Sequence, residues 1–437
     1  MRSLRRACMA LCLAMPCAGQ SANWLMADAT EPVDAGPLTA YASISVEYQA
    51  SQDTPLLAGA WRGQADLFNR FAPRYADGKV LQVSAAVAGL RGRLLQGQLN
   101  YRLGFIAGEN AIVRGLDGVY GTYLRPLDAS LSLNYVPHAR LRVGLVRQAL
   151  GDEAAALDQR HIYLSHVTQQ IVQERYFASD GSVDGGANLD LGPVSAFRDY
   201  GLQLFDALRV GAWEHAYALM LGMGTGVDPS LNHAGVEKYA FWSSERIFDG
   251  SGVQRDGLKL YAWIEAGRRD LKVGPTQQQQ TFDRRRAGVG ATLRSGPWRL
   301  SGEWIEGTGM IYNGSDGGAI PGSISNVGAR VSGYNQLPTS KANGWYVDAG
   351  YRLDESLEAR LRFDVLNRGT DSPTTDIRFQ GLTVGGAYAW TPRTQLLVEY
   401  QFRRYNAPQL PGDGVTNVLL GGVDNRVGAR LVHRFSF

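Results

Sequence analysis

The residues best suited to chemistry in this chain are arginines spaced by two. The final stretch, RVGARLVHRFSF, puts Arg426, Arg430 and Arg434 in one register of an alternating run. Val427, Ala429, Leu431, His433 and Phe435 fill the other register. A guanidinium is always charged, and its planar fork of N–H donors fits carboxylate and phosphate oxygens. Rings of such charge around a water-filled passage set its ion selectivity. Arg286 and Arg294 share one register with Gly288 and Gly290, and Arg360, Arg362 and Arg403 sit in similar alternations. These eight arginines are the candidate lining of an anion path. A balanced aqueous lumen would also contain arginines paired with acids such as Glu358, Asp364 and Glu399, so a weakly selective pore stays open as a reading.

Other chemistries find little support. The chain has no HExxH, no GxSxG elbow with convincing partners and no phosphate-cradling GxxxxGK[ST]. Its six histidines, His138, His161, His166, His215, His233 and His433, are scattered. His161 and His166 stand five apart, the wrong spacing for one helical face. DGSVDGGANLDL (180–191) loosely resembles a calcium loop, but Leu191 takes the place of the closing glutamate, and a surface loop accounts for it. His433 is the one candidate for a hydrolase at a lipid rim, and an interfacial or subunit contact accounts for it. Neither an enzyme, a metal nor a cofactor is implied.

The elements that must position the arginines are strands. ASISVEYQ sets Ile44, Val46 and Tyr48 against Ser43, Ser45, Glu47 and Gln49. LLQGQLNYRLGF, SLEARLRFDVLN and TQLLVEYQFRR repeat the pattern. Period-two alternation means a strand with two unlike faces. About fifteen such segments are clear, and a sixteenth is expected within 54–68 or 110–125. Tight turns at Pro137-His138, Ser295-Gly296-Pro297, Asp354-Glu355 and Thr391-Pro392 alternate with long glycine-rich stretches at 224–255, 307–343 and 406–423. Short turns at one rim and long loops at the other describe an outer-membrane barrel of even strand number. One face carries charge unsuited to a dry core. The other has aromatics such as Trp345, Tyr351, Tyr388 and Trp390 near segment ends, where interfacial girdles sit. The apolar side is therefore expected to meet lipid, and the arginines an aqueous lumen. Residues 152–181 do not alternate and read as a partly helical insertion. It either folds inward to narrow the pore, with Arg160, Gln169 and Arg175 as candidate constriction residues, or lies on the rim.

The first 22 residues, with Arg2, Arg5 and Arg6 before an apolar run and small residues, read as a secretory signal peptide. All three cysteines, Cys8, Cys12 and Cys17, fall within it, so no disulfide supports residues 23–437. Its loss leaves 41 basic against 41 acidic residues, and net charge gives a nucleic-acid partner no support. No segment after it has the run of about eighteen apolar residues that a transmembrane helix needs. The expected architecture is one all-β antiparallel barrel over 23–437.

Ordered motifs carry a family resemblance. LDASLSLNYVPHARLRVGLVRQALGDEA (127–154), QERYFAS followed by FRDYGLQLF (173–205) and YALMLGMGTG (217–226) come first. SGPWRLSGEW (295–304), NGWYVDAGYRL (343–353) and the terminal Phe437 follow. Over roughly 80–437 the sequence resembles the phosphate-selective porins O and P of Gram-negative outer membranes. Glu174, Arg175, Arg198 and Asp199 stand at matching motif positions. The resemblance implies a trimer of sixteen-stranded barrels, an inward-folded loop and arginines along an anion path. The chain's five lysines, Lys79, Lys238, Lys259, Lys272 and Lys341, form no lysine-rich entrance of the kind the family implies. The expected function is passive diffusion of small hydrophilic, preferentially anionic solutes. The alternative is a structural or interaction barrel that conducts little. Expected partners are outer-membrane lipid and lipopolysaccharide, a homotrimer, and a barrel assembly machinery reading Phe435 and Phe437 as a C-terminal signal.

Overall fold

The computed structural model describes residues 23–32, 34–51, 79–110, 112–113, 124–155, 160–177, 191–229, 235–274, 276, 278–313 and 335–436. Residues 1–22, which the sequence reading assigns to a signal peptide, and Phe437 lie outside them. Among the described residues, sixteen strands form one closed barrel. The first eight are β1 (Thr39–Ser51), β2 (Lys79–Leu94), β3 (Leu99–Ala107), β4 (Leu124–Leu133), β5 (Arg140–Arg147), β6 (Arg198–Val210), β7 (Trp213–Gly222) and β8 (Glu237–Asp249). They are followed by β9 (Asp256–Val273), β10 (Gln278–Ser295), β11 (Trp298–Thr308), β12 (Lys341–Arg352), β13 (Leu357–Arg368), β14 (Ile377–Thr391), β15 (Thr394–Asn406) and β16 (Arg426–Ser436). Each strand pairs antiparallel with its neighbours in sequence, and β1 pairs with β16 from Tyr41↔Ser436 to Ser51↔Arg426. Closure leaves no strand edge unpaired, as a hydrocarbon surround requires.

The alternation read in the sequence sets the faces. On β13, Leu357, Leu361 and Phe363 are exposed outward, whereas Arg360, Arg362 and Asp364 are buried inward. On β15, Val398, Tyr400 and Phe402 face out and Glu399, Gln401 and Arg403 face in. Outward aromatics pair across strands, with Trp304 opposite Trp345 and Trp298 opposite Tyr351. The Trp298 and Tyr351 rings are 4.5 Å apart. Tight turns join strands at one rim. Asp354 accepts from the backbone N–H of Ser356 (2.6 Å) and Leu357 (2.8 Å). Thr391 does the same for Arg393 and Thr394. Such side-chain-to-backbone bonds fix reversals.

Two expectations need correction. Among the described residues the sixteenth barrel strand is β8, inside the 224–255 stretch expected to be a long loop; residues 54–68 and 114–123 lie outside the described residues. In EKYAFWSSERIFD the inward register contains Tyr239 and Phe241, both buried in the lumen, so neither face reads as plainly polar. Leu95 and Gln96 do not belong to a strand. They form a turn between β2 and β3 with left-handed φ of 50° and 57°.

Val347 lies on the lipid face between the Trp345 and Tyr351 levels and is exposed. Val347→Arg is expected to cost about 2–4 kcal/mol in vesicle-reconstituted unfolding titrations, the cost of arginine near a bilayer midplane. Val347→Leu should change little. Equal stability of the two variants would contradict the lipid-facing assignment.

Candidate functional site: the charged lumen

Two segments leave the wall and enter the lumen. The first is a helix, α1 (Trp24–Ala29), capped by the Asn23 side chain, which accepts from Leu25 N–H at 3.0 Å. Leu25, Met26 and Ala29 are buried in the same apolar cluster as Phe205, Ala216 and Phe241 of the inner wall. The second follows β5. It comprises a helical turn α2 (Asp152–Ala155), then residues 160–174 with a π-helical turn at Thr168–Val172.

The inward segment is tied to the far half of the barrel. His161 lies between two wall carboxylates, with Nδ1 2.6 Å from Glu399 and Nε2 3.1 Å from Asp348. Ile162 N–H donates to Glu399 at 2.8 Å. His166 lies 2.6 Å from Asp364 through Nδ1 and 2.8 Å from the Tyr405 hydroxyl through Nε2. Arg362 pairs with Glu153 at 2.9 Å, and Arg368 donates to Gln170 at 2.9 Å. Glycines make the fit: a Cβ on Gly428 would meet the Tyr163 hydroxyl at 2.8 Å, and one on Gly307 would meet the Ile171 side chain at 2.8 Å.

The arginines singled out in the sequence occupy different settings. Arg286 donates to the carbonyls of Ile171 (2.7 Å), Gly309 (2.9 Å) and Met310 (2.8 Å), so it fastens loops. Arg362 is wholly buried with Glu153 and Asp364. Arg403 donates to the Asp424 carbonyl, and Arg426 donates to Gln401 and lies over the Tyr163 ring at 3.8 Å. Arg430 bonds Glu47 of β1 at 2.5 Å across the closing seam and donates to the Ile162 carbonyl. Arg434 is half-buried near the end of that register, and Phe435 is exposed on the outer face. Gln169 is partly exposed, while its neighbour Gln170 is the residue that meets Arg368. The side chain of Arg175 lies outside the described residues.

Arg294, Arg360 and Arg160 do come together. Arg160 pairs with Asp152 at 3.0 Å, which also takes Lys259 at 2.5 Å. Arg299 reaches Asp348 at 2.9 Å and Glu358 at 3.3 Å, and Glu358 holds Arg360 at 2.9 Å. Arg360 also donates to the Arg160 carbonyl. Arg294 lies within electrostatic reach of Arg160, Arg299, Asp152 and Glu358 but has no ion-pair partner among the described residues. Five cations (Arg160, Lys259, Arg294, Arg299, Arg360) thus share three carboxylates (Asp152, Asp348, Glu358). Arg160, Lys259, Arg294 and Glu358 keep partial exposure to the open lumen.

The matching motif positions outside Arg175 are structural. Glu174 takes both nitrogens of a bidentate Arg269 at 2.7 Å each, and Arg198 pairs with Asp128 at 3.1 Å. Asp199 accepts from Gly224 N–H, Thr225 N–H and the Tyr239 hydroxyl. Among the described residues, no group of three His, Cys, Asp or Glu side chains is placed to hold a metal ion.

Fold and lumen together define a closed antiparallel sixteen-stranded barrel of the outer-membrane type with a charged, partly filled interior. A sequence profile of the Gram-negative porin family matches residues 216–408. The chain is similar to Salmonella typhi OmpF in its complex with daunomycin, with 12% identity and a TM-score of 0.55, over 93% of this chain and 98% of that one. For the outer membrane channel DcaP of Acinetobacter baumannii the values are 13%, 0.52, 91% and 97%. For OmpT, an outer membrane protein of Vibrio cholerae in its in-vitro folded trimer form, they are 9%, 0.51, 92% and 100%. At these identities the likeness is one of fold. No curated protein sequence matches the chain. The profile covers less than half of the chain, and the solved structures share its barrel fold.

His161 generates a pH prediction. Burial opposes its charge, but Glu399 and then Asp348 outweigh burial and raise its pKa. Its contribution is complete below the unfolded histidine value of about 6.5 and is lost as pH rises through the higher folded value. An NMR titration of the His161 ring should show a midpoint above about 6.5. Thermal stability should decline across the same window, and His161→Gln should remove that decline. A midpoint at or below the unfolded value would refute the clamp.

Proposed function

We propose that this protein is an outer-membrane porin, a passive channel for small hydrophilic solutes that prefers anions. One observation carries the anion preference. The part-exposed cluster around Arg160, Lys259 and Arg294 has five cations for three carboxylates, with Arg294 unpaired among the described residues. Adding the His161–Glu399 contact contributes at most one charge of each sign and leaves the excess unchanged when the histidine is protonated. A permeating anion meets attraction where the inward segment narrows the passage, and a cation meets repulsion. The resemblance to phosphate-selective porins makes phosphate one such anion. The trimer form of the structurally similar OmpT supports a homotrimer in the outer membrane, assembled through the outward C-terminal strand and surrounded by lipid and lipopolysaccharide.

A second reading has its own observation. Inward charges such as Arg142, Arg284, Arg362 and Arg368 are almost wholly buried beneath the two lumen segments. A barrel so filled would conduct little and serve as a scaffold.

Planar-bilayer recording of the refolded protein separates these readings. The porin reading expects steady single-channel steps and an anionic reversal potential in a salt gradient, with the preference weakening as salt rises. Arg294→Gln should reduce anion permeability about fivefold at low salt and raise cation permeability, since a unit charge at 4 Å in water is worth about 1 kcal/mol. Folded protein without openings would favour the scaffold. Openings with no effect of Arg294→Gln would remove this cluster from the selectivity mechanism.

A further inference from the structure

The near half of the lumen contains a second arginine cluster. The side chain of Asp28 of α1 is 5% exposed and meets three guanidinium groups of the wall: Arg142 at 2.6 Å, Arg102 at 3.2 Å and Arg147 at 3.7 Å. Arg102 belongs to β3 and the other two to β5. Asp128 of β4 faces the same group, 3.5 Å from Arg102 and 3.1 Å from Arg198. Four guanidinium groups therefore face two carboxylates, and Asp28 is the one member that the wall does not supply. Burial disfavours its charge, yet Arg147, Arg142 and Arg102 hold its carboxyl well below the usual range.

The cradle is larger than its occupant. Arg142 Nε donates to Ser130 at 3.1 Å, and Arg147 Nη1 donates to the Ala155 carbonyl. Arg142 Nη2 and Arg147 Nε are buried and have no hydrogen-bond acceptor among the described residues. A carboxylate has two oxygens, both already engaged here. A tetrahedral oxyanion brings further oxygens to the same place and could take the two idle donors. The helix that delivers Asp28 has only six residues and docks through Leu25, Met26, Ala29 and the Trp24–Phe241 edge contact at 5.8 Å. So short a helix depends on that docking for its stability.

We propose that Arg102, Arg142 and Arg147 form a phosphate-type oxyanion site, and that Asp28 is its tethered competitor. A phosphate group entering the lumen displaces the Asp28 carboxylate and loosens α1 from the wall. Solute binding and the position of the N-terminal helix are then linked. The inference rests on the porin reading only in that a solute must be able to reach the lumen.

The test uses the full mature chain in detergent micelles with inorganic phosphate as probe. Calorimetric titration should show Asp28→Asn binding phosphate on the order of tenfold more tightly than wild type, because it lacks a carboxylate held at about millimolar effective concentration. Adding Arg142→Gln to Asp28→Asn should abolish that gain. A second measurement leaves Asp28 in place. Residues 23–437 contain no cysteine, so Leu25→Cys introduces a single buried thiol. Phosphate should speed its labelling several-fold, and sodium chloride at matched ionic strength should not. Unchanged phosphate affinity in Asp28→Asn, or labelling that phosphate does not accelerate, would overturn the site even if bilayer currents remain anion-selective. Phosphate binding by Asp28→Asn with silent bilayers would instead retain the site and sink the porin reading.

Discussion

A chain that crosses hydrocarbon as strands must pair every backbone N–H and C=O within itself, because lipid offers no replacement partner. Closure of β1 on β16 satisfies that requirement around the whole ring. Much else follows from it. Each strand acquires one face toward lipid and one toward the lumen. The outer face can hold only apolar and girdle residues over the membrane band, so polar side chains collect inside. The interior charges must then be hydrated or find one another.

In this barrel most of them find one another. The closing seam itself is bridged inside by Arg430 and Glu47, which are direct partners across the two strands. The inward segment supplies what the far wall lacks: carboxylates for Arg362 and Lys259, imidazoles for Asp348, Glu399 and Asp364, and backbone carbonyls for Arg286 and Arg430. The N-terminal helix does the same for the near wall through Asp28. Arginine suits this work because its fork can satisfy several acceptors without losing its charge. The lumen is therefore partly filled by segments held electrostatically, and only a few of its charges are left partly exposed.

The alternating segments made the barrel, its two rims and the outward or inward sense of most residues legible in the sequence. Arg360 and Arg362 could be placed on the inner face from Leu361 and Phe363 alone. Strand β8 escaped because Tyr239 and Phe241 point inward to pack in the lumen, which blurs the contrast between its faces. The Arg102, Arg142 and Arg147 cluster escaped for a different reason. Nothing in the spacing of Asp28 from these residues suggests that a short helix would lie inside the barrel against β3 and β6 with Asp28 reaching β5. His161 and His166, dismissed on helical spacing, each meet a wall carboxylate because their segment is not a regular helix there.

The sequence by itself determined which side chains share a face, since period two is a local consequence of strand geometry and needs no knowledge of the neighbours. Only the tertiary structure decided which charges meet. That depends on strand register around a closed ring and on where two non-alternating segments come to rest inside it. Arg286 and Arg294 stand on one register of one strand, yet one is locked onto loop carbonyls and the other lies in a cluster with spare positive charge. Their difference comes from residues far away in the chain, brought near by closure.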